Sequence, residues 1–167
     1  MFFTLMRCNM LTQARLHELL SYDPETGIMR WRVNKGAVRA GQIAGNLTRG
    51  YLQLMVDGHP TVVHRFIWFY VYGKWPDRNI DHIDGNKSNN RLCNLRDVTQ
   101  AMNIQNEIKP RSNNKSGFLG VKANRGLWKA EISVHGKTKF LGRFKTPEEA
   151  HQVYLEAKRR LHPGCTI

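Results

Sequence analysis

A chain of 167 residues, 41% of them hydrophobic, can bury the core of one ordinary domain or two small ones. Its 26 Lys and Arg against 13 Asp and Glu give a net charge of +13, which favours a polyanionic partner bound through phosphate contacts and counterion release. No apolar run approaches the ~20 residues of a membrane span, and Cys8, Cys93 and Cys165 form no Cys-x-x-Cys pair, which argues against a structural zinc and for reduced thiols in a cytoplasmic protein.

Residues 1–10 carry Arg7 and Asn9 and lack a signal-peptide layout, so they read as a loose lead. A short helix is predicted over 12–20, with Thr12 as cap and Leu16, Leu19 and Leu20 on its apolar face. The turn cluster at 22–27 precedes a strand over 28–33, in which Met29, Trp31 and Val33 share one side. The Gly-rich, basic stretch 34–50, with Lys35, Arg39 and Arg49, reads as a loop or as a ribbon along a DNA backbone. Residues 50–56, the Asp57-Gly58 turn and residues 61–64 form a predicted hairpin. The aromatic run 64–72 is then a buried helix that braces the domain.

Chemistry concentrates in Asp81-His82-Ile83-Asp84-Gly85-Asn86. Asn94 stands 12 residues after His82, and Asn103 stands 9 after Asn94. Hydrolysis of a phosphodiester needs an activated water and neutralised phosphate oxygens. His82 can act as a general base, because an imidazole side chain can carry a proton between water and substrate. Asp81 and Asn103 offer hard oxygens, which favour Mg²⁺ or Mn²⁺ over Zn²⁺. Asn94 is placed to orient the imidazole or to pin the loop beneath it. Short strands over 79–83 and 95–98, and a helix from a Thr99 cap to about 106 with Asn103 one turn inside, would bring these groups together.

With Val63-His64-Arg65 and Gly73-Lys74-Trp75-Pro76 ahead of them, these residues resemble the HNH endonucleases, and more closely the phage-type and intron-associated homing endonucleases. The resemblance covers roughly 22–107. It implies that His82 activates water, that Asn94 supports it, and that Asp81 and Asn103 hold the metal. Asn103 stands where many members carry histidine. His64 and Arg65 occupy family-like positions with a supporting role.

Residues 109–116 read as a basic linker. Beyond it, strands are predicted over 118–123, 128–134 and 137–144, and a helix starts with Thr146 as cap, Pro147 first, and Glu149 closing a capping box. Its far end, Lys158, Arg159 and Arg160, suits a helix C-terminus and could also meet phosphate. Residues 109–167 carry 13 basic and 4 acidic side chains, a net of +9, against +4 for 1–108.

Gly120-Val121-Lys122, Trp128-Lys129-Ala130-Glu131-Ile132, Leu141-Gly142-Arg143-Phe144 and Glu148-Glu149-Ala150 with Tyr154 resemble the plant ethylene-response-factor (Apetala-type) DNA-binding domain. That resemblance implies a sheet laid in the major groove, with Lys122, Asn124, Glu131 and Phe140 in DNA-facing positions; Arg125, Lys129 and Lys139 are expected DNA contacts beside them. Leu119, Ser133 and Thr138 stand where the plant proteins have arginine, so the plant base code is not retained.

The expected architecture is α+β: an HNH endonuclease domain over 1–108 with a ββα-metal core at about 79–107, then a three-stranded antiparallel sheet packed on one helix over 117–167. The expected function is a Mg²⁺-dependent homing endonuclease that nicks double-stranded DNA as a monomer or weak homodimer, with no membrane association. The alternative is a non-catalytic DNA-binding regulator with a decayed nuclease domain.

Overall fold

A computed structural model describes residues 11–110 and 112–166; the expectations for 1–10, Cys8 among them, lie outside these. The architecture is α+β, with small antiparallel sheets and short helices. The chain divides into two compact bodies. One runs to His82 and takes in Asn86–Asp97; the other takes in Ile83–Gly85 and continues from Val98.

In the first body, helix α1 (Gln13–Leu19) is capped by the Thr12 hydroxyl, which accepts from the Arg15 amide at 3.1 Å. Strands β1 (Leu20–Asp23) and β2 (Ile28–Trp31) pair as a hairpin. Met29 and Trp31 point inward as alternation requires. Strands β3 (Asn46–Thr48), β4 (Tyr51–Val56) and β5 (His59–Val62) form a meander. The stretch 34–50 is therefore not all loop: its end pairs with β4, Leu47 opposite Leu52.

The chain turns helical at Val63, so α2 (Val63–Tyr72) takes His64 into its first turn, where the hairpin reading ended a strand on it. Phe66 and Ile67 of α2 are fully buried against Leu16 and Leu20. Each such side chain contributes about 1.5–3 kcal/mol, so the aromatic helix is scaffold. Strands β6 (Asn79–His82) and β7 (Leu95–Val98) complete the region that carries the Asp81-His82 pair.

In the second body, α3 (Gln100–Gln105) is capped by Thr99, whose hydroxyl accepts from the Met102 amide at 3.3 Å. Strands β8 (Val121–Asn124), β9 (Leu127–Val134) and β10 (Lys137–Phe144) order as β10-β9-β8. Helix α4 (Pro147–Leu161) starts with both bonds of the Thr146–Glu149 capping box. Ala150, Tyr154 and Ala157 pack onto Val121, Ala130 and Ile132. The first strand begins three residues later than expected, because Gly120 takes φ +71° and Leu119 turns into the core. Leu119 is thus a packing residue of this body's core and lies off the outer face.

Candidate active site

His82 ends β6 and is 5% exposed. Its ring meets His64 edge-on at 5.0 Å between centroids, and Tyr51 covers both rings at 6.2 and 5.6 Å. Its Nε2 lies 3.0 Å from Asn90 Oδ1. An amide oxygen only accepts, so Nε2 carries the proton and the lone pair sits on Nδ1. Asn90 is itself fixed, 2% exposed, with its carbonyl accepting from the Tyr22 hydroxyl at 3.1 Å. Gly27, at φ +73°, lets the backbone come this close: a Cβ there would lie 2.5 Å from the Arg91 nitrogen.

Asn94 sits in a 3-10 turn, Leu92–Asn94, and its Nδ2 donates to the Asn89 carbonyl at 2.8 Å. That bond pins the loop, and Asn90 Oδ1 meets the imidazole. Sequence reasoning missed Asn90 because Asn89-Asn90 reads as turn chemistry. The signal was present, since an amide eight residues beyond His82 lies in the same loop. Arg65 donates from Nη1 to the Arg78 carbonyl at 3.3 Å and so holds the approach to β6.

Asp81 faces β7, where Arg96 donates to its Oδ2 from Nε at 2.9 Å and from Nη2 at 2.8 Å. The carboxylate is 7% exposed and the guanidinium 24%, so Arg96 stabilises a charge that would otherwise be costly to bury. Asn103 lies inside α3, in the second body.

Burial, then the neighbouring His82 and Arg65, push the His64 pKa from 6.5 down to about 3. His64 is thus a neutral ring at working pH, suited to positioning. The linkage has a definite sign. Below pH 6.5 the unfolded chain takes a proton that folded His64 refuses, so stability falls with pH until the folded ring protonates near 3. This predicts a loss of about 2 kcal/mol at pH 5 relative to pH 7.5. Denaturant melts at the two pH values check it: His64→Gln should show a correspondingly smaller acid loss, and an equal loss would contradict the assignment.

The β8-β9-β10 register sorts the expected DNA contacts, because residues directly opposite share a face. Lys122 lies opposite Lys129, and Phe140 opposite Glu131. Both lysines bond Glu131 and hold its carboxyl below the usual carboxylate range. Phe140 is 59% exposed. Asn124 ends β8, and Arg125 takes φ +51° in the turn after it.

Lys139 is exposed and lies opposite the inward-facing Ile132, on the other face from Phe140. A bulge between Phe140 and Gly142 then resets the alternation and brings Arg143 opposite Lys129. Arg143 thereby joins the outer face, which the strand's plain alternation did not announce. Lys158 departs from the expectation of a phosphate contact: it is 1% exposed and donates to the Glu107 carbonyl at 2.5 Å.

Residues 61–105, which hold His64, Asp81, His82, Asn94 and Asn103, match the family model described as HNH endonuclease. Over these residues the chain is similar to the HNH endonucleases. It is 39% identical over 94 residues to an uncharacterized HNH endonuclease of Acanthamoeba polyphaga mimivirus, a match covering 55% of this chain and 48% of that one. The chain thus spans about half the length of that relative. No solved structure matches it. No helix among the described residues is long and apolar enough to cross a membrane.

HNH nucleases are generally divalent-metal dependent. Among the described residues no group of three His, Cys, Asp or Glu forms a metal cluster. Asp81 offers one buried carboxylate, a hard oxygen of the kind that a divalent ion with few protein ligands would take.

Proposed function

We propose that the chain is a metal-dependent DNA endonuclease of the phage-type homing class, which nicks double-stranded DNA. The observation that carries this reading is the oriented imidazole of His82, protonated at Nε2 by its bond to Asn90 and set beside Asp81 in the chain. His82 Nδ1 would take the proton of the attacking water. Asp81 and the Asn103 amide oxygen are the proposed ligands of Mg²⁺ or Mn²⁺. Bound there, the ion would supply charge neutralisation on the phosphate and leaving oxygens. Arg96 aims the Asp81 carboxylate, Asn94 holds the loop, and His64 and Tyr51 flank the imidazole.

The outer sheet face, Lys122, Lys129, Glu131, Phe140 and Arg143, together with Asn124 and Arg125 at the β8 end, is the proposed DNA anchor. This reading rests on the likeness to ethylene-response-factor domains and on the +9 charge of 109–167. Removing one phosphate-binding cation should flatten the salt dependence of binding by about one unit of slope. Arg143→Ala should do so, and Lys139→Ala should do so less. Binding isotherms across salt concentrations check this; equal effects would put Lys139 back on the contact face.

The competing reading is a DNA-binding regulator. A labelled duplex separates the two. The endonuclease shifts it in EDTA and cuts it once Mg²⁺ is added, whereas a regulator shifts it and leaves it intact.

A further inference from the structure

We infer that the last turn of α4 and the segment 162–166 hold α3 and the loop after His82 in place, so the C-terminal module positions the cleavage machinery as well as anchoring DNA. The inference rests on the endonuclease reading. All of its contacts lie within the second body.

Thr166 is the centre. Its Oγ1 lies 2.8 Å from the Ile83 carbonyl and 2.5 Å from Asn106 Oδ1, so one hydroxyl proton serves two acceptors. Asn106, the C-cap of α3 and only 4% exposed, donates from Nδ2 to the same Ile83 carbonyl at 3.3 Å. One residue earlier in the chain than Ile83 is His82.

Three further contacts grip α3 and its exit. The Gly164 amide donates to Gln105 Oε1 at 3.1 Å. The backbones come so close that a Cβ on Gly164 would stand 2.6 Å from the Met102 carbonyl. Buried Lys158 donates to the Glu107 carbonyl, just past the helix. The tail is anchored in turn to the sheet, where His162 Nε2 meets the Ser133 carbonyl of β9 at 2.8 Å. Burial lowers the pKa of Lys158.

A simple tether would show none of this. It would leave the end of α3, which carries Asn103, to its own six residues, and an isolated helix of that length is not stable in water. The sheet and α4 supply the missing rigidity through 162–166. Thr166 and Lys158 are positioning residues: they act through Ile83, Asn106 and Glu107.

The test uses the full chain with Thr166→Val, Thr166→Ser and Lys158→Met. Two quantities are read: single-turnover cleavage with protein saturating the DNA, and hydrogen exchange of the α3 amides in the free protein. Thr166→Val and Lys158→Met should slow cleavage roughly 10- to 100-fold, as small misplacements near a reacting centre do, with DNA affinity unchanged. They should also speed exchange at Asn103 and Asn106, and Thr166→Ser should restore both. Wild-type cleavage and wild-type exchange in Thr166→Val and Lys158→Met would overturn the inference. If the unsubstituted protein does not cut, the nuclease reading fails separately, and exchange alone decides: faster exchange supports the clamp and unchanged exchange overturns it.

Discussion

His82→Ala should cut DNA about 10²- to 10⁴-fold more slowly than the unsubstituted chain, the usual loss when a general base is removed. The reason is how firmly this ring is held. Its Nε2 is committed to Asn90 Oδ1, and its faces are walled by His64 and Tyr51. Nδ1 is then the nitrogen in the right protonation state to take a proton from water. DNA binding should persist, since the proposed contacts lie on the sheet of the second body. Single-turnover rates at saturating protein measure the loss free of binding effects. Asn90→Leu should give a smaller fall, because the imidazole survives there and only its tautomer and angle are released.

Asp81→Asn should reduce cleavage by about 10³-fold, equivalent to about 4 kcal/mol of transition-state stabilisation. The substitution keeps the shape of the side chain and removes its charge. That charge has two users: Arg96 through Oδ2, and the proposed metal. Loss of activity alone would not separate them, so Arg96→Met is the comparison. It leaves a buried carboxylate without its main cation and should lower thermal stability, yet raising Mg²⁺ should recover much of its activity. In Asp81→Asn, raising Mg²⁺ should recover little. Cleavage rates across a Mg²⁺ titration distinguish the two, and full recovery of Asp81→Asn would remove this carboxylate from the metal site.

The parts of the fold that were legible in the sequence are those written in local chemistry. Thr146-Pro147-Glu148-Glu149 states a helix start in four residues, and both capping-box bonds form. Thr12 and Thr99 cap the helices they precede. Met29 and Trp31 alternate inward as a half-buried strand demands. The Asp81-His82 pair was legible for the same reason, because adjacency in a strand needs no tertiary information.

The features that escaped depend on residues far apart in sequence or on a break in periodicity. Asn90 is recognisable as the imidazole's partner only once the loop is folded back under β6, helped by Tyr22, 68 residues away. Arg143 reaches the outer face because one bulge after Phe140 shifts the later side chains by a position. Lys158 reads as a solvated helix end, and only the Glu107 carbonyl explains its burial. Strand β3 hid in a Gly-rich basic stretch, since its pairing is supplied by β4 and not by its own propensity.

The most direct measurement is the fate of supercoiled plasmid incubated with the purified chain in Mg²⁺, beside the same mixture in EDTA. The supercoiled form should convert to nicked circles in Mg²⁺ and persist in EDTA. Plasmid that is bound by the protein yet stays supercoiled in Mg²⁺ and in Mn²⁺ would contradict the proposed nuclease chemistry.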